Sequence, residues 1–124
     1  MAANKIIRLG PVALTTTLTT NIFNFTVTSL AGPVGFTLTQ PYVVIRHVRI
    51  VNKTGSAATF SLWLGATAAN AAGTEVIGQG LSIPANAAFD WYGLLRMDVA
   101  DFLVGGAGTA TALTLQAEGE IGFI

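Results

Sequence analysis

The chain has 124 residues, six Lys/Arg against six Asp/Glu, and no cysteine; 52% of it is apolar and 10% charged. Ordinary domains carry roughly 25% charged residues. The balance excludes a disordered chain, a dedicated nucleic-acid binder, which needs a basic excess, and any disulfide framework or thiolate site. At this length the chain reads as a single domain, residues 1–124. A neutral, charge-poor surface offers little repulsion against association, so the chain is suited to an assembly.

Taken in order, residues 1–41 come first. They carry Lys5 and Arg8, no acid, many Thr, and the breaks Gly10-Pro11 and Gly32-Pro33. No window of about 18 residues is apolar throughout, so no spanning helix is expected. Pro11 interrupts the one stretch that could serve as a signal core, Leu9 to Leu14. The expectation is cytoplasmic synthesis without an export signal. Ile22 to Thr28 alternates as a strand does. The whole segment reads as an N-terminal arm or an edge layer of the same domain.

Tyr42 to Asn52 is a long β-branched strand with apolar residues on both faces, hence central or at an interface. Asn52 to Ser56 reads as a hairpin loop. Ala58 to Leu64 alternates with period two, placing Phe60, Leu62 and Leu64 opposite Thr59, Ser61 and Trp63. Ala66 to Thr74 reads as a surface loop and Ile83 to Asn86 as a turn. Phe89 alternates with Asp90 and Tyr92. Leu94 to Leu103 is the best helix candidate; its rival is two short strands meeting at Asp98 to Asp101. Gly78-Gln79-Gly80 and Gly105 to Gly108 read as turns. Thr109 to Ala117 alternates again around Leu113 and Leu115. Short strands at near-regular spacing predict an all-β, antiparallel β-sandwich, jelly-roll-like. Its expected core includes Phe60, Leu62, Leu64, Phe89, Leu113 and Leu115.

Chemistry is hard to find. His47 is the one histidine, and Ser29, Ser56, Ser61 and Ser82 occupy no nucleophile elbow. Zinc needs three or four ligands. Asp98 and Asp101 read as turn carboxylates or as a weak carboxylate pair. Glu118 and Glu120 share a strand face, as any exposed pair two residues apart does. No catalytic residue, cofactor or metal is expected. The charges are sorted along the chain: Lys5, Arg8, Arg46, Arg49 and Lys53 precede residue 54, and all six acids follow residue 74. They either pair across strands of one chain or form patches that meet between copies. Trp63 lies on the polar face of its strand and predicts an intersubunit or inter-sheet contact; large aromatic rings are enriched in binding hot spots. The expected interface residues are Tyr42, Arg46, Arg49, Lys53 and Trp63.

The run Val48-Arg49-Ile50-Val51-Asn52-Lys53-Thr54-Gly55, then Ala58 to Gly65, Leu81 to Asn86, Trp91 to Leu94 and Ala112 to Ile121, resembles small β-sandwich structural proteins of tailed bacteriophages. These include capsid decoration (cement) proteins and modules of tail-fibre complexes. The similarity spans Tyr42 to Ile124. It implies a virion component, often a homotrimer, without enzymatic activity, whose partners are copies of itself and the major capsid protein or other virion proteins, with no nucleic acid and no membrane. The alternative is a tail-fibre or host-adhesion module binding carbohydrate.

Overall fold

A computed structural model describes residues 5–23, 30–31, 42–65, 73–98 and 101–122. Among these residues the chain is all β: β1 (Lys5–Ala13), β2 (Asn21–Phe23), β3 (Leu30–Ala31), β4 (Tyr42–Asn52), β5 (Ala58–Gly65), β6 (Glu75–Ile83), β7 (Ala88–Asp98), β8 (Phe102–Ala107) and β9 (Leu113–Gly122). One sheet has the order β3-β1-β9-β4-β7 and the other β2-β8-β5-β6. The pairing is nested. β5 pairs with β6, β4 with β7, β2 with β8 and β1 with β9, all antiparallel. This long two-stranded ribbon is then rolled up by the β4–β9 and β5–β8 pairings. The result is a jelly roll, a double-sheet solution to the problem of free strand edges.

The core fills the space between the sheets. Ile7, Leu9, Val43, Ile45, Val48, Ile50, Leu113 and Leu115 meet Phe23, Phe60, Leu62, Ile83 and Leu103 from the other side. Leu64 and Phe89 are half-buried and pack against that cluster. Phe89 still bridges the layers, its ring 5.2 Å from that of Phe60.

Several local expectations need correction. Among the described residues of Leu94 to Leu103 no helix forms. Leu95 and Met97 turn inward while Leu94, Arg96 and Asp98 turn out, which is period two, so the rival two-strand reading holds. Asn52 to Ser56 is not a hairpin, because β4 and β5 belong to different sheets. It is a crossover held by the buried Asn52 side chain. The Asn52 amide donates to the carbonyls of Ser56, Ile83 and Pro84, and its oxygen accepts from the Thr54 N–H and hydroxyl. Gly105 to Ala107 lie inside β8 and Gly78 to Gly80 inside β6, not in turns. A Cβ on Gly105 would sit 2.2 Å from the Ser61 carbonyl, and one on Gly106 would sit 2.5 Å from the Thr15 carbonyl. Gly105 and Gly106 therefore serve close backbone approach. Asn24 to Thr28 and most of the Ala66 to Thr74 loop lie outside the described residues.

The apolar residues on both faces of β4 also have a local cause. Pairing shifts between Ile45 and His47 against both neighbours. The bulge moves the inward phase from Val43 and Ile45 to Val48 and Ile50, which are all buried. It also re-aims Arg46 and His47 onto the outer surface, as bulges do. The strand is central, between β9 and β7.

Candidate interaction face

The outer surface of the β1–β9–β4–β7 sheet gathers most of the charge. Period two and the bulge bring Arg8 from β1, Glu118 and Glu120 from β9, Arg46 and Arg49 from β4, and Asp90, Arg96 and Asp98 from β7 to one side. These are eight of the twelve charged residues of the chain.

On this face the sorted charges pair in cis. Arg46 Nη1 donates to Glu120 Oε2. Arg49 grips Asp90 with two bonds, 2.9 Å from Nε and 3.2 Å from Nη2. His47 Nε2 lies 2.8 Å from Asp90 Oδ1. An ionised carboxylate only accepts, so Nε2 carries the hydrogen, and Nδ1 faces Glu118 Oε1 at 3.9 Å. Arg49, and after it His47, hold the Asp90 carboxyl down at about 2. Arg96 binds Asp98 at 2.9 Å and lays its guanidinium over the Tyr42 ring, 4.5 Å from the centroid. Pairing within one chain, across strands for Arg46, His47 and Arg49 and along β7 for Arg96, thus accounts for these ions without a second copy.

Aromatic and apolar groups stand among the pairs. The His47 and Tyr92 rings stack with centroids 4.5 Å apart and planes 9° from parallel. Ile6 on β1 and Tyr92 and Leu94 on β7 are 77%, 72% and 70% exposed. Large apolar side chains this open are informative when they gather on one surface. An open hollow of about 490 Å³ runs between Ile6, Arg46, His47, Glu118, Gly119 and Glu120.

Of the expected interface residues, Tyr42, Arg46 and Arg49 lie on this face. Lys53 stands exposed just past the end of β4. Trp63 lies in the other sheet, on the side of β5 away from the core, and is buried at 3%. Its register partners there are Val104 and Glu75. The ring is covered by its own chain. Sequence reasoning did not single out Ile6 or Leu94, nor the His47–Asp90 bond. The signal for the last was present, since Asp90 and Tyr92 share one face of an alternating strand.

The face holds little reactive chemistry. Ser61 is in the opposite sheet, where its hydroxyl accepts from the Gly80 N–H at 2.7 Å. Ser29 lies outside the described residues. Asp98 and Asp101 close a turn on each other: the Asp98 N–H donates to Asp101 Oδ2 at 2.7 Å, and the Asp101 N–H to the Asp98 carbonyl at 2.9 Å. Among the described residues no three His, Asp or Glu gather as a metal cluster, and no helix is long and apolar enough to cross a membrane.

No protein-family model and no curated protein sequence matches the chain. Among solved structures, a chain from the cryo-EM structure of broad bean stain virus is similar at 12% identity and a TM-score of 0.36. The match covers 100% of this chain and 86% of that one. At that identity and score nothing about role passes from one chain to the other.

Proposed function

We propose that this protein is a non-enzymatic structural component of a virion, a capsid decoration (cement) protein that binds and stabilises capsid subunits. One observation carries the reading. Apart from Arg8, the ionisable groups of the outer face are engaged with one another, and exposed Ile6, Tyr92 and Leu94 stand among them. A reaction site keeps a nucleophile, base or ligand set poised toward substrate. Here most of the ions neutralise each other, and Arg8 alone needs a partner's group when the surface is covered. The sequence resemblance supplies the virion setting, with the major capsid protein or other virion proteins as partners and no cofactor.

A second reading rests on Tyr92. Its exposed ring beside Asp90 and Arg49 has the elements of a sugar-binding platform, as in a tail-fibre or adhesion module. Two measurements separate the readings. Electron microscopy of purified particles should show the protein in stoichiometric contact with capsid subunits. A glycan array probed with the isolated protein should stay blank. Absence from the particle, or saturable glycan binding abolished by Tyr92→Ala, would overturn the decoration reading.

A further inference from the structure

The outer face has an order that none of its residues shows alone. Its strands run β1, β9, β4, β7. β1 presents exposed Ile6 with Arg8. β9 presents Glu118 and Glu120. β4 presents Arg46, His47 and Arg49. β7 presents Tyr92 and Leu94 among Asp90, Arg96 and Asp98. The two inner strands are therefore one acidic and one basic, and the exposed apolar residues stand on the two outer strands among their charges.

Such a pattern becomes its own complement when reversed. Consider a second copy laid face to face on the first, about a twofold axis parallel to the strands and midway between β9 and β4. The rotation exchanges left and right and keeps the height along each strand. The acidic strand of each copy then lies over the basic strand of the other, and each β1 lies over the other copy's β7. Register fixes the rows. Arg8, Glu118, His47 and Tyr92 form one row across the sheet. The rotation therefore sets Arg8 over the Tyr92 ring of the second copy and Glu118 over its His47. Ile6, Glu120, Val44 and Arg96 form the next row, so the rotation sets Glu120 over Val44 of the second copy and Ile6 over its Arg96, with its Leu94 alongside, between the two rows.

We propose that a second copy of this chain covers this face, in a twofold dimer about that axis. The inference deepens the assembly reading above by naming the first occupant of its contact surface. A twofold contact is self-complementary, each residue meeting its counterpart's partner, and this face has that property. Sheets stacked face to face keep their strands roughly aligned, which the axis respects. The ion pairs already made in cis enter the interface satisfied, and Arg8, for which no ion pair is seen among the described residues, gains the Tyr92 ring of the second copy as a cation–π partner. Four strands by about six residues span about 19 Å by 20 Å. That flat patch of about 380 Å² is roughly half the ~800 Å² per partner of an ordinary stable interface, which fits a dimer seen at micromolar concentration. The homotrimer implied by resemblance has no such match here, because a threefold ring joins two different surfaces.

The test uses the whole chain, which has no cysteine. Sedimentation of the purified protein at tens of micromolar should give a dimer. Ile6→Arg and Leu94→Arg, both at exposed positions, should weaken the dimer by about tenfold or more with unchanged melting. Leu81→Arg, on the exposed part of β6 in the opposite sheet, should leave it intact. For orientation, Ile6→Cys and Leu94→Cys variants are mixed and treated with a thiol-reactive linker of about 10 Å, the spacing of stacked sheets. The mixed Ile6→Cys/Leu94→Cys product should exceed either self-product. A monomer, a trimer, a dimer indifferent to Leu94→Arg, or dominant Ile6→Cys self-linking would each overturn the twofold. Binding to purified particles is scored separately. A dimer that ignores particles overturns decoration only, and particle binding by a monomer or trimer overturns the twofold only.

Discussion

Asn52 shows how much one buried polar side chain can decide. It is 1% exposed and makes five hydrogen bonds to two segments, Thr54 to Ser56 and Ile83 to Pro84. Truncation would strand the Thr54 N–H and several carbonyls, and each stranded buried group costs about 1–3 kcal/mol. Asn52→Ala should therefore lower stability by about 2–4 kcal/mol in denaturant titrations, since some stranded groups reach water. Thr54→Val, which removes one hydroxyl, should cost much less. Asp90 makes a different prediction, one of pH. Its carboxyl ordinarily titrates near 3.8 and is held at about 2, first by the Arg49 hydrogen bond and then by His47. A depressed carboxylate stabilises the fold above its unfolded value, and that contribution disappears as pH falls through the folded value. Asp90→Asn should accordingly melt below the parent at pH 6. The gap should close between about pH 4 and pH 2. A gap that stayed constant down to pH 2 would show that the loss came from packing and not from ionisation.

At the scale of strands, the period-two segments were legible because each buries one face and wets the other. Tyr42–Asn52 has the bounds expected of it. What the alternation does not encode is which sheet a strand joins. Asn52 to Ser56 has hairpin chemistry, yet the Asn52 side chain turns the strand into the opposite layer. Nor does a glycine announce whether it bends the chain or lets two strands approach. Gly119 in β9 is a strong case, since a Cβ there would lie 2.1 Å from the Val44 carbonyl of the central strand. That neighbour is backbone in the β4–β9 pairing and cannot swing aside. Gly119→Ala should cost about 1–3 kcal/mol, as overpacking does, and Gly105→Ala should behave alike. Gly55→Ala, which meets nothing within 4 Å, should be near neutral. Equal melting temperatures for the three variants would mean that the sheets yield more readily than their register implies. The contact face was only half legible for the same reason. Arg46 and Arg49 stood out as charges, while Ile6 and Leu94 look like ordinary apolar residues until pairing turns them outward.

At the scale of the molecule, the decisive question is how far the N-terminal segment belongs to the roll. β1 pairs with β9 along most of its length and brings Ile7 and Leu9 into the core, followed by Leu14. The next turn lies beside β8, where Gly105 N donates to the Thr20 carbonyl and Ala107 N to the Thr15 carbonyl. Removing residues 1–20 would take away three buried aliphatic side chains, worth about 1.5–3 kcal/mol each. It would also unpair one edge of β9 and strand two β8 amides. A fold of this size holds about 5–15 kcal/mol in total, so the combined loss consumes most of it. The truncated chain should lose its cooperative thermal transition, followed by circular dichroism at the strand minimum. A neighbour-serving arm behaves differently: its removal leaves the melt intact and lowers only the mass of the assembly. The backbone pairing of β1 with β9 argues for the first outcome. If the truncated chain instead melted like the parent and merely dissociated, β1 would be an exchanged strand, completing another copy's sheet in the assembled state.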